Sequence, residues 1–229
     1  NKADELKKLR EEADKKTEEL IPAIFHEMVG DTARNPKSWD IKSIGDLAEK
    51  VGSGITPRGG ASVYVDDGPY FIRSQNVQMN QLDMSDVAHI PWDIHESMSS
   101  TKVLAGDVLL NITGASIGRV TWVPQLDEEA NVNQHVCILR FKPHTALPEF
   151  VSLQLSTPYF QNVIDSLQTG ATRQGLNFSQ IRTIAIALPP LGEQKRIAGI
   201  LNKAEELKKL REEADKKTEE LIPAIFHEM

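Results

Sequence analysis

Apolar side chains recur at seven-residue spacing in two nearly identical segments, residues 1–28 and 202–229. These segments differ at a single position, where Asp4 of the first is replaced by Glu205 in the second. Charged residues fill most of the positions between. The spaced apolar positions are Leu6, Ala13, Leu20, Leu207, Ala214 and Leu221. Such a pattern is typical of amphipathic helices that pack in a coiled coil.

The apolar pattern of the second segment continues upstream through Ile197, Ile200 and Leu201. It predicts one helix over about 192–229, with a length of about 57 Å. A stripe this narrow needs another long helix to cover it, and the two copies in the chain are the nearest candidates. We expect an antiparallel pair within the chain. Heptads do not fix orientation, so parallel association with a second chain is the alternative.

Between the repeats, short apolar runs alternate with Gly, Pro, Asn and Asp, which favours strands and loops. The predicted strands are YFIR (70–73), DVLLNIT (107–113), GRVTWV (118–123), HVCILRF (135–141) and TIAIALP (183–189). A helix is predicted over 148–167, divided at Pro158. The expected fold is therefore α+β, with a mixed, mostly β domain flanked by long amphipathic helices. Its expected parts are a helix at 1–28, the β domain at 29–190 and the long helix at 191–229.

The composition is that of an ordinary globular protein, with 229 residues and 40% hydrophobic side chains. No apolar run approaches the roughly 20 residues that cross a bilayer, so we expect a cytoplasmic protein without a membrane partner. Catalytic motifs are missing: there is no GxxxxGK, GxGxxG or HExxH, and Cys137 is the single cysteine. We predict no catalytic residues and no metal site.

Polar loops carrying single arginines are the remaining candidates for chemistry. Arg, Asn and Gln form paired hydrogen bonds with the edges of guanine and adenine, and small residues let the backbone approach phosphates. Composition alone also fits loops with no role beyond the fold. A net charge of −7 means that any nucleic-acid surface must be local. The candidate side chains are Arg58, Arg73, Ser74, Gln75, Asn76, Arg119, Thr169, Arg173 and Gln174.

The order of the motifs resembles the specificity subunit of type I restriction-modification systems. The segments that carry the resemblance are WDIKSIGDLAEKVGSGITPRGG, PYFIRSQNV, LAGDVLLNITGASIGRVTWV, NVNQHVCILRF and TGATRQGLNFSQIRTIAIALPPLGEQKRIAGIL. In that family, target-recognition domains alternate with near-identical helical regions that form an antiparallel coiled coil. Each domain reads one half of a bipartite double-stranded DNA sequence.

The resemblance implies a half-specificity subunit with one recognition domain between two conserved helical regions. It implies no catalysis and no cofactor in this chain, with S-adenosylmethionine bound by partner methyltransferase subunits that dock on the helices. Restriction nuclease and translocase subunits complete the assembly, and a homodimer would restore the two-domain whole. The resemblance points to the 73–76 loop first for DNA contact. An alternative is a coiled-coil assembly module whose β domain binds protein. A DNA-modifying enzyme is disfavoured by the missing motifs.

Overall fold

The computed structural model describes residues 8, 12–13, 23–30, 34–168 and 175–227, without the side chains of 205, 212 and 218–227. Residues 8, 12–13 and 23–29 are helical, and 23–29 is called α1 here. The other α-helices are α2 (Ile44–Leu47), α3 (Trp92–Ser97), α4 (Pro148–Leu155), α5 (Pro158–Leu167), α6 (Phe178–Thr183) and α7 (Leu191–His227).

Short strands connect these helices. In chain order they are β1 (Asp40–Ser43), β2 (Ala48–Ser53), β3 (Val65–Ile72), β4 (Val77–Gln78), β5 (Gln81–Leu82), β6 (Ala88–His89), β7 (Lys102–Val103), β8 (Val108–Asn111), β9 (Val120–Trp122), β10 (Ala130–Val132), β11 (Val136–Phe141) and β12 (Ala185–Leu188). The five strands predicted from the sequence are confirmed as β3, β8, β9, β11 and β12. Strands such as β4 and β6 are two residues long, which is too short for an alternating pattern to show.

Two four-stranded sheets form the centre of the β domain. One is antiparallel, in the order β2-β11-β8-β9, and the other is mixed, in the order β6-β3-β10-β7, with β3 and β10 parallel. β4 and β5 form a hairpin, and β1 pairs with β12. The residues of β8 and most of β11 are buried, which accounts for their nearly continuous apolar sequences.

The predicted helix at 148–167 is confirmed and is divided near Pro158. α4 ends at Leu155, and Pro158 is the first residue of α5, where its missing N–H removes no helical hydrogen bond. α4 is almost entirely buried and packs against β8, β9 and α7. It therefore connects the antiparallel sheet to the long helix.

The flanking helices share one hydrophobic core with the β domain. Phe25 and Val29 of α1 lie in the same buried cluster as Ile197 and Leu201 of α7 and Phe150 of α4. The rings of Phe25 and Phe150 are stacked with centroids 6.2 Å apart. The predicted boundaries at 28/29 and 190/191 therefore fall within a continuous core.

Beyond the core, α7 approaches the N-terminal segment again. Arg211 Nη1 donates to the backbone carbonyl of Ala13 at 3.5 Å. The half-buried stripe of α7 consists of Ala204, Lys208, Arg211 and Asp215. Its spacing of three and four residues keeps these positions on one face of the helix.

The predicted packing positions on α7, Leu207 and Ala214, are each one residue before a member of that stripe. Leu207 is 67% exposed, and Ala214 is also exposed. Ala13 is half-buried, as predicted for a packing position. Burial of Leu207 in a helix pair stays a prediction. Leu6, Leu20 and the side chain of Leu221 lie outside the described part of the chain.

Candidate nucleic-acid interface

Three of the polar loops singled out in the sequence, those of Arg58, Arg73 and Arg119, meet at one edge of the two sheets. The end of β2 lies beside the start of β11, which lies beside the end of β8 and hence the start of β9. β3 and β10 are parallel and end together at Ile72 and Val132. We call the loops at these strand ends, residues 54–59, 73–76, 112–119 and 133–135, the loop edge.

Gly54 fastens two of these loops together. Its amide donates to Asn133 O at 3.1 Å and to Val136 O at 3.3 Å. A Cβ at this position would lie 1.6 Å from Val132 O, so no side chain fits without moving the backbone. Glycine here fixes the start of the 54–59 loop against the 133–135 loop.

Asn76 holds the 73–76 loop in shape from inside. Its side chain is buried, accepts from the amide of Arg73 at 2.9 Å, and donates to the carbonyls of Asp83 and Asp86 at 3.0 and 3.3 Å. These bonds engage both its Oδ1 and its Nδ2. Asn76 therefore shapes the loop, because its polar atoms are turned into the protein, and its predicted contact with DNA stays a prediction.

Arg73 is also engaged within the protein. Its Nη2 donates to Asp86 O at 2.6 Å and contacts Asp86 Oδ2 at 3.3 Å, and its guanidinium lies 5.6 Å from the centroid of the Tyr64 ring. Its side chain is 21% exposed. The arginine therefore stays at the loop edge with little of its surface free.

Gln75 and Ser74 complete this loop. Gln75 is exposed, and its Nε2 donates to Asp86 Oδ2 at 2.7 Å. Ser74 is half-buried, and its carbonyl accepts from Asn111 Nδ2 at 2.8 Å. Of the four predicted residues in the loop, Gln75 presents the most accessible polar side chain.

Arg58 and Arg119 lie at the loop edge without a hydrogen-bond or ion-pair partner for their guanidinium groups in the described structure. Arg58 is exposed in the 54–59 loop, and Arg119 is half-buried just before β9. The turn that carries Arg119 needs Gly114 and Gly118, which adopt φ values of +74° and +88°. Both guanidinium groups are available to an anion such as a DNA phosphate.

Thr169, Arg173 and Gln174 lie outside the described residues. The chain after them begins at the loop edge, because Gly175 bridges to Thr113 and the amide of Leu176 donates to Ile112 O at 2.9 Å. The contact of these three side chains with DNA stays a prediction.

Gln134 and His135 belong to the loop edge and were missed as site residues. Gln134 is exposed, and its Nε2 lies 3.2 Å from His135 Nε2. His135 Nδ1 also forms a hydrogen bond with Thr113 Oγ1, which connects the 133–135 and 112–119 loops. The signal in the sequence was the polar NVNQH run directly before a buried strand.

Negative charge also lies near the 73–76 loop. Hydrogen bonds from the Ser85 hydroxyl, and then from its backbone amide, lower the pKa of the Asp83 carboxyl. Asp86 pairs with Arg73. The loop edge carries arginine and histidine and has two acidic residues beside it. Its chemistry is therefore that of polar hydrogen bonding more than of a strongly basic surface.

A second polar cluster lies at the opposite end of β10. The ligand atoms of His95, Glu96 and Glu129 lie within 4.8 Å of one another. Lys102 Nζ, however, lies 2.8 Å from Glu96 Oε1 and 3.1 Å from Glu129 Oε2, in the place where a cation would bind. The bonds to Glu96 and Glu129 raise the pKa of Lys102, and those from His95 and Lys102 lower the pKa of Glu129. The cluster is explained as an ion-pair network.

Cys137 is fully buried, and burial raises the pKa of its thiol to about 12. A thiol with that pKa stays protonated near neutral pH and is a poor nucleophile. None of the described helices has the length and apolar character needed to cross a membrane.

A family model described as "Type I restriction modification DNA specificity domain" matches residues 36–219. Among curated proteins, the chain is similar to the putative type I restriction enzyme MjaX specificity subunit of Methanocaldococcus jannaschii. The two are 23% identical over 170 residues, which cover 73% of this chain and 39% of that protein.

Solved structures show the same fold at low sequence identity. One chain, from a study of complex assembly and conformational transition in the type I R-M system, matches with a TM-score of 0.69 at 19% identity, over 98% of this chain and 53% of that one. The HsdS subunit from Thermoanaerobacter tengcongensis matches with a TM-score of 0.65 at 19% identity, over 93% and 49%. The chain thus spans about half the length of these solved chains.

Proposed function

The chain belongs to the family of type I restriction modification DNA specificity domains, and from that premise we propose that it recognises one half of a bipartite DNA target. In this proposal it has no catalytic step of its own. It gives sequence specificity to an assembly with methyltransferase subunits, which bind S-adenosylmethionine, and with restriction nuclease and translocase subunits. Such an assembly would act in the cytoplasm, where the DNA is.

The observation that carries the proposal is the meeting of the polar loops at one edge of the β domain. Gln75, Arg58 and Gln134 project from loops that Gly54 and Asn76 hold in place. Arg119 lies in the 112–119 loop, which a hydrogen bond between Thr113 and His135 joins to the 133–135 loop. Amide and guanidinium groups are those that read base edges and contact phosphates. A fixed scaffold below them lowers the entropic cost of ordering these side chains on DNA.

A chain with a net charge of −7 is better suited to bind DNA together with partner subunits than to bind it alone. Phosphate contacts provide most of the sequence-independent affinity of a DNA-binding protein. We therefore propose that partner subunits supply many of these contacts, while the loop edge supplies the discrimination between sequences.

The helices are proposed to form the spacer of the assembly as an antiparallel coiled coil. Support comes from contacts at two points along the helices. α1 and the start of α7 share the core, and farther from the core Arg211 donates a hydrogen bond to Ala13. Between the core and this contact, residue numbers decrease along the N-terminal segment, from Phe25 to Ala13, and increase along α7, from Leu201 to Arg211. That is the expected order for antiparallel helices.

Exposed apolar side chains on α7 support docking of another chain. Leu207 and Leu210 are 67% and 55% exposed. Leu210 also lines a groove of about 560 Å³ with Leu82, Trp122 and Leu153. We propose that methyltransferase subunits or a second copy of this chain cover this face. The same groove would serve the alternative function, a coiled-coil assembly module whose β domain binds protein.

DNA binding by the loop edge distinguishes these two functions. Replacing both Arg58 and Arg119 with alanine should leave the unfolding free energy within about 0.5 kcal/mol of the wild type, because neither guanidinium has a hydrogen-bond or ion-pair partner among the described residues. In a complex with a methyltransferase subunit, the same variant should bind DNA more weakly and with a smaller salt dependence. Lys8→Ala, an exposed position on the N-terminal helix, is the matched control.

Fluorescence anisotropy of a labelled duplex, titrated at several salt concentrations, would measure this effect. Unchanged affinity and salt slope in the double variant would remove both arginines from the DNA interface. If the wild-type complex shows no salt-dependent DNA binding, the assembly-module function is favoured instead. Light scattering on the same samples would show whether the chain forms the proposed homodimer.

A further inference from the structure

We propose that Gln75 reads an adenine base and that Asp86 positions Gln75 for this contact. The inference rests on the proposed function, since it assigns roles within DNA recognition. It separates the members of a loop that the sequence offers as equivalent candidates.

The surroundings of the 73–76 loop leave Gln75 as its reader. Asn76 is buried with both amide atoms bonded. Arg73 is held by Asp86 and lies over Tyr64. Ser74 is half-buried, whereas Gln75 is exposed. Gln75 therefore combines access to solvent with a side chain able to make two hydrogen bonds to one base.

The backbone under Gln75 is fixed on both sides. Its carbonyl accepts from Gln78 Nε2 at 2.6 Å, and the preceding carbonyl of Ser74 accepts from Asn111 Nδ2 at 2.8 Å. The amide of Asn76 donates to Arg73 O at 2.8 Å and closes the turn. A reading side chain on such a support is preorganised, and preorganisation favours specificity.

Asp86 sets the direction of the Gln75 amide. Its Oδ2 lies 2.7 Å from Gln75 Nε2. An ionised carboxylate only accepts hydrogen bonds, so the amide must turn its nitrogen toward Asp86. The Oε1 acceptor and the second N–H donor of Gln75 then remain for a ligand.

This donor and acceptor pair matches adenine. In the major groove adenine presents the N7 acceptor beside the N6 donor, whereas guanine presents two acceptors, N7 and O6. A glutamine amide pairs with both adenine groups at once. Guanine would place its O6 against the Oε1 acceptor, so the fixed amide disfavours it.

Arg73 makes an acidic residue tolerable at this place. The Asp86 carboxylate is 82% exposed and would repel DNA phosphates. Arg73 Nη2 lies 3.3 Å from Asp86 Oδ2 and offsets its charge. In this arrangement Arg73 supports the positioning residue and does not itself read a base.

The test is enrichment of a random DNA duplex library by the full chain in complex with a methyltransferase subunit. The variants are Gln75→Ala, Asp86→Ala, Asp86→Asn and, as control, Gln125→Ala. Gln125 is an exposed glutamine after β9, at the other end of the sheet from the loop edge. Wild type should enrich a half-site containing adenine, and Gln75→Ala should lose the preference at one such position by roughly tenfold or more.

The Asp86 variants test positioning at that same base pair. Asp86→Ala should show a smaller loss than Gln75→Ala, and Asp86→Asn, which keeps an acceptor oxygen, should retain more of the preference. Gln125→Ala should enrich the wild-type half-site. The salt dependence of binding should be the same for wild type, Gln75→Ala and Gln125→Ala, because these substitutions change no charge. A merely structural role of Asp86 would instead weaken all positions together.

Three results would overturn the inference. An unchanged half-site in Gln75→Ala, or relaxation only at a non-adenine position, would reject Gln75 as the adenine reader while leaving the proposed function in place. Full adenine preference in both Asp86 variants would reject positioning. Failure of the wild-type complex to enrich any sequence would reject the proposed function itself, and the inference with it.

Discussion

The two ends of the β domain use polar side chains in different ways. At the end opposite the loop edge, Arg140 pairs with Asp107 at 2.7 Å and Lys102 pairs with Glu96 and Glu129. We call these five residues the paired end. At the loop edge, Arg58 and Arg119 have no partner in the described structure, and Gln75 keeps two groups free. Charges at the paired end stabilise the fold, whereas polar groups at the loop edge remain available to a ligand.

Ionisation at the paired end reflects this difference. The hydrogen bonds that Arg140 donates to Asp107 raise the pKa of Arg140, and bonds to Glu96 and Glu129 raise that of Lys102. A residue that is stabilised in its charged form by the native structure contributes to folding. Mutations at the paired end should therefore change the stability of the protein, and mutations at the loop edge should change ligand binding.

Breaking the Arg140–Asp107 pair should give the largest effect on stability. Asp107 is 1% exposed, and its Oδ2 also accepts from the amide of Leu104 at 2.8 Å. Asp107→Ala would leave Arg140 without its carboxylate partner and that amide without its acceptor, at a cost of about 3 kcal/mol. Urea unfolding measures the loss. Asp127→Ala, at an exposed position, is the control and should change the free energy of unfolding by about 0.5 kcal/mol or less. Equal losses in both would contradict the comparison.

Gly54 tests the scaffold of the loop edge itself. Gly54→Ala would force the backbone of Val132 to move, with an expected loss of about 1–3 kcal/mol. The matched control is Gly52→Ala on β2, where a Cβ would meet no atom within 4 Å. Thermal unfolding should separate the two variants, and DNA selectivity should fall only in Gly54→Ala. A tolerated Gly54→Ala would show that the 54–59 loop is not fixed by this contact.

Acid should reveal the smallest effect, at Glu129. Bonds from His95 and Lys102 hold the pKa of this exposed carboxyl below its ordinary value of 4.5. Its contribution to stability is therefore complete above that value and is lost as the pH falls through the lower folded pKa. The Tm difference between wild type and Glu129→Gln should shrink on acidification from roughly pH 6 to pH 3. A Tm difference that grows on acidification would contradict a lowered pKa of Glu129 in the folded state.

Much of the fold follows from local sequence signals. Buried runs such as those of β8 and β11 are long enough to predict strands, and Pro158 correctly divides α4 from α5. The polar loops were also found, because Gly, Arg, Asn and Gln lie between apolar runs. Their meeting at one edge could not be predicted, since it depends on the order of strands in the sheets.

The roles of individual site residues depend on contacts distant in sequence. Asp86 lies beyond the β4–β5 hairpin from Gln75, and nothing local to either residue indicates their hydrogen bond. Burial of Asn76 is equally hidden, because the same residue type reads DNA when exposed. On α7, adjacent sets of heptad positions have similar sequences. Which set is buried depends on the helix that packs against α7.

The β domain and the flanking helices share one core, and this affects which segments could be exchanged with those of a related protein. Nearly all members of the buried cluster that joins α1, α4 and α7 lie within residues 29–201, and Phe25 is the exception. Phe25 belongs to the repeat, so Phe226 stands at the equivalent position of the second copy. If a different central block were joined to these repeats, it would bring its own buried residues with it. The repeat would supply the phenylalanine that completes the core. We therefore expect that the block between the repeated ends could be exchanged as a unit.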